Sequence, residues 1–183
     1  MTTQALEEIR SLFASEGMRG YLGEPLTLAA HMLQAGALAR AAGADDPLVA
    51  ASLLHDVGHF HGFFSGSDLM SGTDNHHSYT GASWLSTWFG PEVTEPVRLH
   101  VAAKRYLCAV EPDYFAKLSA ASVYTLSVQG GPMKRDELVA FEASSFAEDA
   151  EAVRRWDDMA KDPNASMPQF EDFGPLLEHL TRQ

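Results

Sequence analysis

Helical periodicity runs along almost the whole chain and constrains the fold more than any other feature. Apolar residues recur three and four positions apart, and no stretch alternates long enough to read as a strand. Leu6, Ile9, Leu12 and Phe13 mark one face of a first helix. A glycine-rich loop over 17–24 follows, and Pro25 opens a second helix with Leu28, Met32, Ala35 and Leu38 facing inward and a stop at Gly43. Asp45-Asp46-Pro47 starts a third, an acidic cap with proline in the first turn, which should run to about Val57. A loop is expected over 58–74, long enough to be functional or mobile. Further helices are expected over 77–89, from Thr94-Glu95-Pro96 to about Tyr106, as one or two pieces within 114–128, over 135–141 and 146–161, and from Gly174-Pro175. Gln129-Gly130-Gly131-Pro132 is a sharp break. With 183 residues and no internal repeat, the expectation is one all-α domain over 1–183.

Composition narrows the function classes. The chain is 45% hydrophobic and 21% charged, as soluble globular proteins are. No apolar run approaches the roughly 20 residues of a membrane span, and no basic segment leads an apolar one at the N-terminus. Cys108 is the single cysteine, so internal disulfides and thiolate metal sites are excluded and a reducing compartment fits. A cytoplasmic protein with no membrane partner is expected. The net charge of −12 argues against nucleic acid. Against that acidic background, Lys104-Arg105 and Arg154-Arg155 stand out as pairs. They read either as a local anion site or as solvated residues near helix C-termini.

The chemistry centres on His55-Asp56, embedded in Leu53-Leu54-His55-Asp56-Val57-Gly58-His59. An imidazole and a carboxylate in an apolar helix are costly to bury unless paired, and a metal ion satisfies both. His31, His77, His100 and Asp157 occur in similar settings on other helices, and helices of a bundle can aim such side chains into one interior. One histidine on an apolar face is usually a hydrogen-bonded core residue; several together with a His-Asp pair point to metal. Four imidazoles and two carboxylates exceed the four ligands of a structural zinc and suit two ions, with Asp56 able to bridge them. A nitrogen and oxygen set without sulfur fits iron, manganese or a similar divalent ion. His59 lies four residues after His55, Lys104 four after His100, Arg154 three before Asp157 and Lys161 four after it. These cations suit phosphate, phosphonate or carboxylate, although Asp157 and Lys161 also read as an ordinary helix ion pair.

Several longer segments carry a family resemblance: Tyr21-Leu22-Gly23-Glu24, His31-Met32-Leu33-Gln34, Leu54 to His59, His77 to Ala82, His100-Val101-Ala102-Ala103-Lys104-Arg105-Tyr106-Leu107, Gln129-Gly130-Gly131-Pro132-Met133, and Arg154-Arg155-Trp156-Asp157-Asp158-Met159-Ala160-Lys161. Together they resemble the HD-domain superfamily, named for the His-Asp pair, most of whose members are metal-dependent phosphohydrolases. More specifically they resemble its oxygenase branch, which acts on 2-amino-1-hydroxyethylphosphonate and its trimethylammonio relative with a mixed-valent diiron site. The resemblance spans Tyr21 to Lys161.

It implies an HD-domain helical bundle with the metal site between helices. Its two iron ions, Fe(II)/Fe(III), would be held by His31, His55, Asp56, His77, His100 and Asp157, with Asp56 bridging. Tyr21 and Glu24 match a lid, and Lys104, His59, Ser122 and Arg154 match positions around the phosphonate. His77 is preferred to His76 because Gly81 then falls four residues later, and Asp157 to Asp158 because Lys161 then keeps its spacing. Ser78 stands where relatives often carry glutamate, which bears on contacts to the amine. The implied reaction uses O2 to cleave the carbon–phosphorus bond of a small organophosphonate to glycine or glycine betaine and phosphate. Phe60, Phe63, Phe64 and Tyr124 offer either aromatic faces for a quaternary ammonium or plain core packing. The rival reading is a phosphohydrolase acting on a nucleotide or other phosphate ester through the same six ligands. A regulatory domain without activity would leave buried charges unpaired.

Overall fold

The computed structural model describes residues 2–15, 20–21, 23–61, 72, 74 and 76–182. The helices are α1 (Thr2–Ser15), α2 (Leu28–Ala41), α3 (Asp46–Leu54), α4 (Gly58–His61), α5 (His77–Leu85), α6 (Pro91–Val110), α7 (Ala120–Val128), α8 (Arg135–Glu142), α9 (Ala147–Met159) and α10 (Gly174–Leu180), with 3-10 turns at Phe115–Lys117 and Phe170–Phe173. Among the described residues, extended pairing is limited to a bridge between Gly20 and Thr27. No described helix is long and apolar enough to cross a membrane.

Side-chain caps set three of the helix starts. Thr27 Oγ1 accepts from Ala30 N at 3.2 Å, Asp45 Oδ1 from Leu48 N at 3.1 Å, and Ser119 Oγ from Ser122 N at 3.2 Å. Each such cap is worth about 1 kcal/mol.

Several boundaries depart from expectation: α2 starts at Leu28 and not at Pro25, and α5 ends at Leu85, short of residue 89. Helix α3 ends at Leu54, so His55 and Asp56 sit in the turn that follows it rather than inside the helix. The stretch expected to be loop from Gly58 begins as α4; residues 62–71, 73 and 75, with Phe63 and Phe64, lie outside the described residues. Helix α6 starts at Pro91, not Thr94, and runs on to Val110 with Pro96 inside it. Gly90-Pro91 supplies a first-turn proline whose missing N–H costs nothing there. The hydrogen bond that Pro96 forfeits is outweighed by burial of Val93, Val97, Leu99 and Leu107. Helix α9 stops at Met159, which places Lys161 beyond it.

Helices α2, α3, α6 and α9 pack around a core that includes Met32, Leu53, Leu54, Val97 and Val153. Helix α5 lies against α6 and α4. A second apolar cluster, with Leu99, Ala103, Phe141 and Ala150, joins α6, α8 and α9. The approach of α4 to α5 is a backbone-to-backbone contact. A Cβ on Gly58 would lie 1.9 Å from the His77 carbonyl oxygen, and one on Gly81 would lie 2.9 Å from Gly58 N. Two glycines thus bring His59 and the first residue of α5 alongside Asp56.

Candidate metal centre and anion pocket

The bundle delivers His31 from α2, His55 and Asp56 from the turn after α3, His77 from α5, His100 from α6 and Asp157 from α9, all at most 4% exposed. Three of the imidazoles are oriented by backbone. His31 Nδ1 lies 2.8 Å from Ala160 O, His55 Nδ1 2.8 Å from Ser52 O, and His100 Nδ1 2.7 Å from Val97 O. A carbonyl only accepts, so each Nδ1 carries the proton and, in the neutral ring, Nε2 presents its lone pair. Metal-ligating histidines are held in this way.

Those lone pairs face each other. His31 Nε2 is 3.0 Å from His55 Nε2, and His77 Nε2 is 3.1 Å from His100 Nε2. Two bare nitrogens so close repel, so a proton or a metal ion must lie between them. Ligands about 2.1 Å from one ion and at right angles to it are separated by about 3.0 Å. Asp56 stands between the two pairs. Its Oδ2 is 3.4 Å from His55 Nε2 and 3.6 Å from His31 Nε2; its Oδ1 is 3.3 Å from His77 Nε2 and 3.5 Å from His100 Nε2. Asp157 Oδ1 lies 3.4 Å from His31 Nε2 and accepts no hydrogen bond among the described residues, while Oδ2 accepts from Arg154 Nη1 at 2.6 Å. A buried carboxylate oxygen without a donor, aimed at two imidazoles, is the chemistry of a cation site. The donor set therefore fits two ions, one per face of Asp56.

The electrostatics agree. Burial opposes charge on His55, but Asp56 beside it, with help from Asp157, raises it to about 9. Burial likewise opposes the Asp56 carboxylate, yet the His55 charge and the neighbouring His100 imidazole hold it well below the usual range. The two carboxylates thus favour positive charge at their centre. On the other face, burial and His59 push His77 down to about 3, leaving it neutral. His59 stacks on His77 at 4.1 Å, with Nε2 3.8 Å from Asp56 Oδ1.

Both positional alternatives are separated by the fold. His76 is exposed, adopts a left-handed backbone (φ 48°) and pairs with Asp74 at 3.3 Å. Asp158 turns away from the histidines to Arg154 and Tyr114. Tyr21 stacks on His31 with ring centroids 3.9 Å apart and hydrogen-bonds to Asp56. Burial, then Asp56 and Asp157, raise its pKa, so it remains a donor.

A cavity opens beside Asp56, lined by Tyr21, Glu24 and a set of cations. Lys104 Nζ donates to Thr125 Oγ1 at 3.0 Å, and burial followed by the Arg154 charge pushes it down to about 7. Lys161 Nζ donates to Ser122 Oγ at 2.8 Å and lies 3.7 Å from Glu24 Oε1. Lys161 therefore serves the cavity wall, and the expected pairing with Asp157 is replaced by a 3.9 Å approach to Asp158. The end of α9 at Met159, with Ala160 out of helical geometry (φ −80°, ψ 45°), is what redirects it. Arg154 is gripped along one side: Nε donates to Tyr114 Oη and Asp158 Oδ2, both at 3.1 Å, and Nη2 donates to Asp158 Oδ1. With Nη1 also donating to Asp157 Oδ2, one N–H on each of Nη1 and Nη2 has no acceptor among the described residues and is left for an anion.

Sequence reasoning gave no role to Tyr114 or Thr125, weighed Asp158 only as an alternative metal ligand, and read Gln129 only as part of a turn and a family segment. A signal existed for Thr125, which follows Ser122 by three residues on α7, with Gln129 four further on at its C-terminal cap. Tyr114, 44 positions from Asp158, offered none. Of the aromatic candidates, Phe60 packs against Phe13 in the core and Tyr124 is exposed.

The HD domain model matches residues 28–128. The chain belongs to the HD-domain family. It is 39% identical over 175 residues to the 1-hydroxy-2-(trimethylamino)ethylphosphonate dioxygenase (glycine-betaine-forming) of Leisingera caerulea, covering 96% of this chain and 89% of that one. It is 39% identical over 183 residues to the hydroxymethylphosphonate dioxygenase of Gimesia maris, covering 94% and 87%. An uncharacterized protein of Acanthamoeba polyphaga mimivirus is 31% identical over 181 residues, covering 97% and 83%. The all-helical HD fold and the likeness to phosphonate dioxygenases are borne out.

Proposed function

We propose that this chain is a cytoplasmic oxygenase that uses two iron ions, Fe(II)/Fe(III), and O2 to cleave the carbon–phosphorus bond of a 1-hydroxy-2-(amino or trimethylammonio)ethylphosphonate. The observation that carries the reading is Asp56, whose two oxygens each face a separate histidine pair, beside a pocket lined by Lys104, Arg154 and Lys161. Relatives named as dioxygenases of hydroxyphosphonates support it. In the reaction, R–CH(OH)–PO3²⁻ and O2 give R–COO⁻, HPO4²⁻ and H⁺. All four electrons come from the substrate, so no external reductant is consumed. The product carboxylate is glycine or glycine betaine.

His31, His55 and Asp157 would hold one ion and His77 and His100 the other, with Asp56 shared; the ions supply Lewis acidity and the electron transfer that O2 requires. Lys104 and Arg154 bind the phosphonate and offset its charge as phosphate departs. Ser122 and Lys161 close the same wall. His59 stacks on His77 and fixes the face of Asp56 nearest the pocket. Tyr21, held against His31 and donating to Asp56, covers the centre and excludes water, with Glu24 flanking it.

The test is anaerobic purification, iron quantification and an oxygen-uptake assay with both phosphonates. About two irons per chain and strictly O2-dependent phosphate release are expected. Phosphate release that persists without O2 would replace this reading with a phosphohydrolase.

A further inference from the structure

The Gln129-Gly130-Gly131-Pro132 turn is held with more care than a chain reversal needs. Gln129 N donates to Thr125 O at 2.9 Å and Gly131 N to Leu126 O at 2.8 Å, closing α7. Gly130 and Gly131 take φ values of 99° and 72°, which side chains other than glycine rarely adopt. Arg105, next to Lys104 on α6, donates from Nε to Gly131 O at 2.8 Å and from Nη2 to Glu137 at 2.7 Å. Met133 N returns a hydrogen bond to Arg105 O at 3.1 Å. The turn is thus fastened to the helix that carries Lys104.

What it positions is the Gln129 side chain, 8% exposed and lining the cavity beside Asp56. Along the α7 stripe, Ser122 Oγ receives Lys161 and Thr125 Oγ1 receives Lys104. Gln129 Oε1 is buried and meets no donor among the described residues. An acceptor left dry in this way costs stability and is retained where a ligand supplies the proton. Lys104 is held by Thr125, four residues and about 6 Å before Gln129 along the helix, and Lys161 by Ser122, seven residues and about 10 Å before it. An ionised phosphonate has no proton to give, so the donor that Gln129 Oε1 awaits lies on the carbon side of the ligand, not on its anionic group.

We infer that Gln129 is a specificity-determining residue: its Oε1 accepts a hydrogen bond from the hydroxyl on the carbon that bears the phosphonate. This rests on the hydroxyphosphonate reading above. A site built around such a hydroxyl rejects the analogue lacking it, because the buried acceptor then stays unpaired.

Hydroxymethylphosphonate and methylphosphonate share charge and differ by that hydroxyl. Their dissociation constants are measured by calorimetry under argon, on metal-loaded wild type, Gln129→Leu and Gln129→Glu. Any contribution of the hydroxyl to metal binding is common to all three proteins and cancels in the cycle. In Gln129→Leu the preference for the hydroxylated ligand should fall at least ten-fold, whereas Gln129→Glu, which keeps an acceptor, should retain it. Metal content and melting temperature report that each variant is folded.

A preference changed less than two-fold in Gln129→Leu would overturn the inference. So would an equal loss for both ligands, which would make Gln129 an anion contact, or no binding of either ligand to wild type. Oxygen uptake is read separately. Wild type that binds with the stated preference but releases no phosphate with O2 would sink the oxygenase reading and leave the role of Gln129 standing.

Discussion

Replacing Gly58 by alanine should disable one half of the metal centre and spare the other. The added Cβ would sit 1.9 Å from the His77 carbonyl oxygen and 2.7 Å from Gly81 N. Both obstacles are backbone, so no side-chain rotation relieves them, and α5 must retreat by about 1 Å to restore the shortest tolerable contact. His77 Nε2, 3.3 Å from Asp56 Oδ1 and 3.1 Å from His100 Nε2, moves with it. Metal–ligand distances tolerate about 0.2 Å. The His77–His100 ion should therefore bind about 100-fold more weakly, while His31, His55 and Asp157 lie on other elements. Iron titration should fall from about two ions per chain to about one, with a stability loss of about 1–3 kcal/mol in the metal-free protein. Gly36→Ala is the control. Its Cβ would meet Leu53 Cβ and the Phe173 ring at 3.1 Å, away from the site, so it should cost stability and keep both ions. Two ions at wild-type affinity in Gly58→Ala, or an equal loss in Gly36→Ala, would refute the reasoning.

Other outcomes follow from the same geometry. Asp56→Asn removes the charge that raises His55 to about 9, so burial takes over; an NMR titration of metal-free protein should find His55 neutral at pH 7.5, and a protonated ring would refute the assignment. Lys104, pushed down to about 7 against about 10.4 in an unfolded chain, contributes stability that is fully present above about pH 10 and is lost as pH falls toward 7. Lys104→Met should therefore be more stable than metal-free wild type at pH 7, by an amount on the order of a few kcal/mol that shrinks toward pH 10; a difference independent of pH in chemical denaturation would contradict this. Tyr21→Phe loses the hydrogen bond to Asp56 that holds the ring over the centre. Phosphonates should then bind up to about ten-fold more tightly with little change in melting temperature, and unchanged affinity would count against a covering role.

How much was legible varied with the range of the interactions involved. Asp45 caps its helix within three residues, so that start could be placed from the chain alone; Thr27 and Ser119 act over the same range, but the sequence pattern favours Pro25 over the first and a start near residue 114 over the second. Helix α6 could not be placed as well, because Gly90-Pro91 and Thr94-Glu95-Pro96 are both plausible starts and only the burial of Val93 against the core selects the first. The end of α3 was misjudged for a related reason. His55 keeps helical dihedrals (φ −57°, ψ −35°), but the α3 ladder ends at Leu54 and Asp56 lies in the following turn, where its two oxygens face different helices, an arrangement invisible in a local window.

The residue types of the centre were settled by sequence: histidines and aspartates dispersed over apolar helices, with the lone Cys108 excluding thiolate ligation. Motif spacing favoured His77 over His76 and Asp157 over Asp158, and the fold turns those members of each doublet inward; tertiary structure alone decided which carboxylate oxygen meets which histidine pair. It also moved Lys161 onto Ser122 and Glu24 and fastened Arg154 to Tyr114 and Asp158. The physical reason is separation along the chain. Helix formation is decided within a turn or two, whereas His31 meets its partners 24 and 129 positions away, where only the packing of whole helices sets an angle or a distance.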